Sequence, residues 1–141
     1  MKAFIVALLM ALVPASAFAA DLATLTIKIE DVTNKGGSLR VGVYTQDNFV
    51  MRSATPSAFK IVDAKEGETT VVFENLMPGE YGVKAFQDEN GNGKLDTVMG
   101  VIPVEPHGMS NDAQPSGAGS EWDQAKFTVK PGATAITIHL D

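Results

Sequence analysis

A chain of 141 residues with 17 acidic and 11 basic side chains carries a formal charge of −6, a balance that disfavours nucleic acid and anionic lipid as partners and tolerates cations. It has no cysteine, which excludes disulfides and thiolate metal sites. Its length is that of one domain, enough to bury a core by packing alone.

The first stretch stands apart. Lys2 precedes an unbroken apolar run over residues 3–13, and Pro14 follows it. Ala17 and Ala19 place small residues on the near side of a cut after Ala19. That layout predicts a secretory signal peptide, 1–19, and the run is short for a membrane anchor. No cysteine lies at the cut, so a lipid anchor is excluded. The expectation is a domain of residues 20–141 in the periplasm, or alternatively secreted, with no membrane span in its mature form. Loss of Lys2 moves its formal charge from −6 to −7.

Leu25, Ile27 and Ile29 alternate with polar residues and predict a half-buried strand. Asn34-Lys35-Gly36-Gly37 reads as a turn, and Leu39, Val41 and Val43 as the second arm of a hairpin. A weakly periodic stretch, 45–56, predicts a loop with one helical turn. Phe59 with Ile61, and Val71 to Phe73, predict two short strands. Pro78-Gly79 turns the chain into a fifth strand with Tyr81, Val83 and Ala85 on one face. Residues 87–96 are polar and glycine-rich, and 103–120 form a long aperiodic loop. Strand character returns at 126–129 and in the alternation of Ile136, Ile138 and Leu140. About seven strands without a convincing helix predict an all-β fold, a single β-sandwich, with a barrel as the alternative.

One segment is chemically pointed. Asp88, Asn90 and Asn92 fall at positions 1, 3 and 5 of a calcium-loop pattern, with Gly93 at the sharp turn and Asp96 at position 9. Alternate side chains of a tight loop converge, and the Lys94 carbonyl adds an oxygen. The candidate metal ligands are therefore Asp88, Asn90, Asn92, Lys94 and Asp96, for Ca2+. Met99 stands where an EF-hand has its bidentate Glu, which implies a Kd of roughly 10⁻⁴–10⁻³ M. Glu89 is expected to point away, and Glu105 is a further candidate. The same residues also make Asx turns unaided, so a metal-free turn is the second reading.

Other constellations are thinner. Glu105, His107, Ser110 and Asp112 share the long loop, but Ser110 lacks a Gly-x-Ser-x-Gly setting. His107 and His139 are the only histidines, a weak basis for zinc or copper, and His139 is expected to face solvent. Trp122 either closes one end of the core or anchors a sugar or partner.

The run Phe86-Gln87-Asp88-Glu89-Asn90-Gly91-Asn92-Gly93-Lys94-Leu95-Asp96, followed by Gly100, Pro103, Glu105, Gly108 and Ser110-Asn111, resembles the exported bacterial family catalogued as domain of unknown function 2141. The resemblance covers about 25–140. Gln87 stands where that family commonly carries histidine. The resemblance implies an immunoglobulin-like or transthyretin-like sandwich and no established activity. Leu76-Met77-Pro78-Gly79-Glu80-Tyr81 is similar to collagen-adhesin B-type modules, and the closing Tyr-Arg-Gly-Ser of transthyretin-like hydrolases is absent. The sequence thus points to a non-catalytic module, with no catalytic or organic-cofactor residues. Its expected partners are a calcium ion and an unidentified envelope protein or carbohydrate. The alternative is a small hydrolase or metal-dependent enzyme using the 103–120 loop.

Overall fold

The computed structural model describes residues 21–50, 55–116 and 120–141. The expected signal peptide, 1–19, lies outside the described residues. Among those described, ten strands form: β1 (Ala23–Val32), β2 (Ser38–Tyr44), β3 (Ala58–Asp63), β4 (Gly67–Leu76), β5 (Gly79–Asp88), β6 (Thr97–Val98), β7 (Ile102–Pro103), β8 (His107–Met109), β9 (Phe127–Val129) and β10 (Gly132–His139). Two short helices join them, α1 (Gln46–Phe49) and α2 (Glu121–Ala125). The expected seven strands are all present. The three unforeseen ones are β6, β7 and β8, of two or three residues each, too short for any period to register. The 103–120 stretch is accordingly not structureless: it holds β8 and a 3₁₀ turn, Ser110–Asp112.

A three-stranded sheet runs β10-β1-β4, with β10 parallel and β4 antiparallel to β1. A larger sheet runs β3-β2-β5-β8, and β9 pairs with the start of β5 beside β8. β6 and β7 make a small hairpin of their own. The expected β1/β2 hairpin does not form, because its arms lie in different sheets. Asp31 takes a φ of 62° and the β1/β4 register shifts beside it, leaving one further pair, Val32 opposite Gly67, before the ladder ends. Gly36 and Gly37, at φ 74° and 78°, then carry the chain across. Any Cβ on Gly37 would sit 2.1 Å from the Asp88 carbonyl oxygen, so the crossing requires glycine.

The two sheets share one core, as in a β-sandwich. Leu25, Ile27 and Ile29 of β1, with Val71, Phe73 and Ile138, face Leu39, Val41 and Val43 of β2 and Val83 and Ala85 of β5. Each fully buried aliphatic side chain contributes about 1.5–3 kcal/mol. β3 also forms where expected, but Phe59 and Ile61 lie on its outer face, about half exposed. A second cluster of Phe49, Ala113, Trp122 and Ala125 closes one end. The Trp122 ring meets Phe49 edge-on at 5.5 Å and is 5% exposed, so it is a packing residue and not an exposed anchor.

Candidate functional site

β5 delivers the Asp/Asn loop from the interior. Its inward row, Tyr81, Val83 and Ala85, ends in Gln87, and both Gln87 and Asp88 are fully buried. The Gln87 amide closes the β1–β2 crossing: its Oε1 accepts the Thr33 N–H (2.9 Å), and its Nε2 donates to the carbonyls of Gly36 (2.8 Å) and Thr33 (3.2 Å).

Asp88 starts the loop and holds it by both oxygens. Oδ1 accepts the Asn92 N–H at 3.1 Å, and Oδ2 accepts the Gly93 N–H at 2.9 Å and the Arg40 Nε–H at 2.8 Å. Burial alone would raise this carboxyl. The Arg40 guanidinium and the Gly93 N–H outweigh it and hold the pKa below its ordinary 3.8. A buried carboxylate left without such partners would be costly.

The side chains of Asn90, Asn92 and Asp96 meet at the exposed mouth. Both asparagine amides donate to the Asp96 carboxylate, Asn92 at 2.8 and 3.0 Å. Their oxygens accept backbone N–H groups of Asn92 (3.1 Å) and Lys94 (2.9 Å), two successive Asx turns. Glu105 is buried and joins the loop's two ends, accepting the N–H of Glu89 at 3.0 Å and of Asp96 at 2.9 Å. Glu89 points away, as expected, to Thr33 and Lys35. The loop thus brings Asp88, Asn90, Asn92 and Asp96 together and adds Arg40 and Glu105. Arg40 reaches the loop only through β2/β5 pairing, which no local spacing announces. Among the described residues, no three His, Asp or Glu side chains group so as to hold a metal.

The hydrolase constellation is not assembled. Ser110 is fully buried, and its hydroxyl donates to the Ala125 carbonyl (2.6 Å) while accepting the Val83 N–H (2.9 Å). Asp112 turns to His139, accepting its backbone N–H and approaching Nδ1, each at 2.9 Å. The His107 Nδ1 lies 3.3 Å from the Glu105 carbonyl oxygen. His139 is exposed, as expected, but its ring is held between Asp112 and Glu30.

Fold and loop together define a small, mostly β domain of two sheets on one core, with no evident catalytic set among the described residues. Residues 27–137 match the family described as an uncharacterized protein conserved in bacteria (DUF2141), and the chain belongs to that family. No curated protein matches the sequence. A solved structure of a pilus-presented adhesin is similar at 10% identity and a TM-score of 0.34, covering 85% of this chain and 27% of the adhesin chain.

Proposed function

We propose that this is a non-catalytic module of the bacterial cell envelope, an immunoglobulin-like or transthyretin-like β-sandwich exported to the periplasm. Its 88–96 loop takes one calcium ion as a weak structural staple, and its surface binds an envelope protein or carbohydrate. Export rests on the pattern of residues 1–19. The absence of catalysis is supported by the Ser110 hydroxyl, which is spent on two backbone groups in the interior.

The observation that carries the calcium reading is the meeting of Asn90, Asn92 and Asp96 beside buried Asp88. These groups, with the Lys94 carbonyl, form an all-oxygen donor set, which suits a hard cation. An asparagine amide presents oxygen as readily as nitrogen once a cation replaces the hydrogen bonds to Asp96. Arg40 neutralises one of the two carboxylates among the candidate ligands, which places the affinity in the weak class, roughly 10⁻⁴–10⁻³ M.

The test is calorimetric titration of calcium into the chelator-stripped protein, with Asp96→Ala beside it. One ion per chain is expected, lost in the variant. Calcium at ten times Kd adds about 1.4 kcal/mol to stability. Absence of heat and of any melting shift at millimolar calcium, or equal behaviour of the variant, overturns the reading.

A further inference from the structure

The outer face of the larger sheet has a chemistry of its own. Outward-facing residues line up across its strands in two rungs. One reads Phe59, Gly42, Lys84 and Met109, and the other Ile61, Arg40, Phe86 and His107. An outer face is ordinarily polar and solvated, but this one is largely apolar. Among the described residues, no second layer packs flat on it, and Phe59 and Ile61 are half exposed. Instead the β6–β7 hairpin stands along one side, and Leu95, Val101 and Pro103 line the space between it and the sheet. The result is an open groove of about 640 Å³, within the range of small-molecule sites.

Gly42 lets the Tyr44 ring lie flat on the groove floor. Its absent side chain leaves room for the Tyr44 ring, which a Cβ there would meet at 2.6 Å. Lys84 stands beside this ring, its ammonium 5.3 Å from the centroid of Tyr44 and 4.4 Å from that of Phe49. One of its three N–H groups goes to the Phe49 carbonyl. Burial pushes the Lys84 pKa down, opposed by the charge of Glu121, so this is a cation short of water. Arg40, whose Nε donates to Asp88, also lines the groove, with its guanidinium beside Gly93. Among the described residues, Glu121 is the one acid lining the groove, in a chain that is otherwise acidic. The lining therefore has an apolar body and one half-buried ammonium, Lys84, since the Arg40 charge is matched by Asp88.

We propose that this groove binds a small amphiphilic anion, an apolar chain or ring ending in a carboxylate. The apolar part lies between Phe59, Phe86 and the hairpin side chains Val101 and Pro103. The carboxylate accepts from Lys84, whose ammonium has lost water to burial and has one N–H on the Phe49 carbonyl. A neutral molecule of the same shape gains the apolar contacts and forgoes the charge-assisted bond. This site borrows only Leu95 from the 88–96 loop and shares Arg40 with it, and it does not depend on calcium binding.

The test is fluorescence titration with dansyl-labelled undecanoate, followed by displacement with decanoate and with decanol. The probe is expected to saturate and shift to the blue, and decanoate to displace it about tenfold more tightly than decanol. Lys84→Met should bring decanoate down to the level of decanol and leave decanol unchanged. Phe59→Asp, on the exposed rim, should weaken both. Lack of saturable binding, equal displacement by acid and alcohol, or unchanged decanoate binding in Lys84→Met overturns the proposal. Should Lys84→Met fail to fold, the acid-over-alcohol preference of the unaltered protein and the Phe59→Asp result decide it.

Discussion

Replacing Gln87 by Ala removes the side chain that holds the β1–β2 crossing to β5. Three hydrogen bonds go with it, two to Thr33 and one to Gly36. At a net of about 1 kcal/mol each, they account for about 3 kcal/mol. Thr33 and Gly36 are only half-buried, so water recovers part of that loss, while the void left beside the core adds to it. The expected cost stays near 3 kcal/mol, a fall in Tm of about 12 °C for a domain of this size. Gln87→His should cost less, since a neutral imidazole supplies one donor and one acceptor and keeps two of the three bonds. It also brings a pH dependence that glutamine lacks. Protonation turns the nitrogen that accepts the Thr33 N–H into a donor, so the folded state lowers the pKa of this histidine. Its stabilisation is then present above about pH 6.5 and lost as the pH falls through the folded value. Urea unfolding followed by Trp122 fluorescence, near neutrality and at mildly acidic pH, reads both effects. A Gln87→Ala midpoint within about 0.5 kcal/mol of the parent would refute the reasoning, because that is the range of an idle surface residue.

Asp88 has a depressed pKa, so its contribution is complete above its ordinary value of 3.8 and is lost as the pH falls through the folded value. Asp88→Asn should cost about 1.5–3 kcal/mol at neutral pH and flatten the acid limb of a Tm-versus-pH curve. His139 behaves oppositely. Its Nδ1 faces Asp112 at 2.9 Å and its Nε2 faces Glu30 at 3.0 Å, and only the doubly protonated ring donates to both. The hydrogen bond and charge of Asp112 raise its pKa above 6.5, so its stabilisation is full below that value and fades as the pH rises through the folded one. Asp112→Asn should move the His139 titration, followed by NMR, back toward 6.5. Ser110→Ala should cost about 2 kcal/mol in urea unfolding by leaving the Val83 N–H without its partner in the interior, and an unchanged midpoint would show that the bond is idle.

What the sequence made legible followed from period and turn chemistry. β1, β2, β5 and β10 alternate cleanly because one face of each meets the core. The loop was legible as a loop, and Asp88, Asn90, Asn92 and Asp96 do come together. Phe59 and Ile61 mark where periodicity ceases to determine burial. Alternation proves that a strand has two faces, but not that the apolar one points inward. Nor could the spacing show that Leu25 lies opposite Thr134 on one side and Phe73 on the other. Such pairings are decided by the whole core. Arg40 stayed hidden for the same reason, since it meets the loop across the fold, whereas Glu105 was legible as a further candidate ligand but not as the clamp on both ends of the loop.

The parity of β5 ties these observations together. Its inward positions run Tyr81, Val83, Ala85 and Gln87: three fill the core, and the fourth clamps the crossing between sheets. Its outward positions include Lys84 and Phe86, which floor the groove. Asp88 follows, and its pairing opposite Ser38 puts it within reach of Arg40 two residues along β2. Because the side-chain period of a strand is two, sliding β5 by one residue would turn Lys84 and Phe86 into the core and carry Gln87 away from Gly36. It would also leave Asp88 without the guanidinium that makes its burial tolerable. Packing, crossing, loop and groove therefore depend on one register. That register is held by Val83 and Ala85 on the inside and by Gln87 at the end, where an amide reaches three backbone groups that no aliphatic side chain could satisfy.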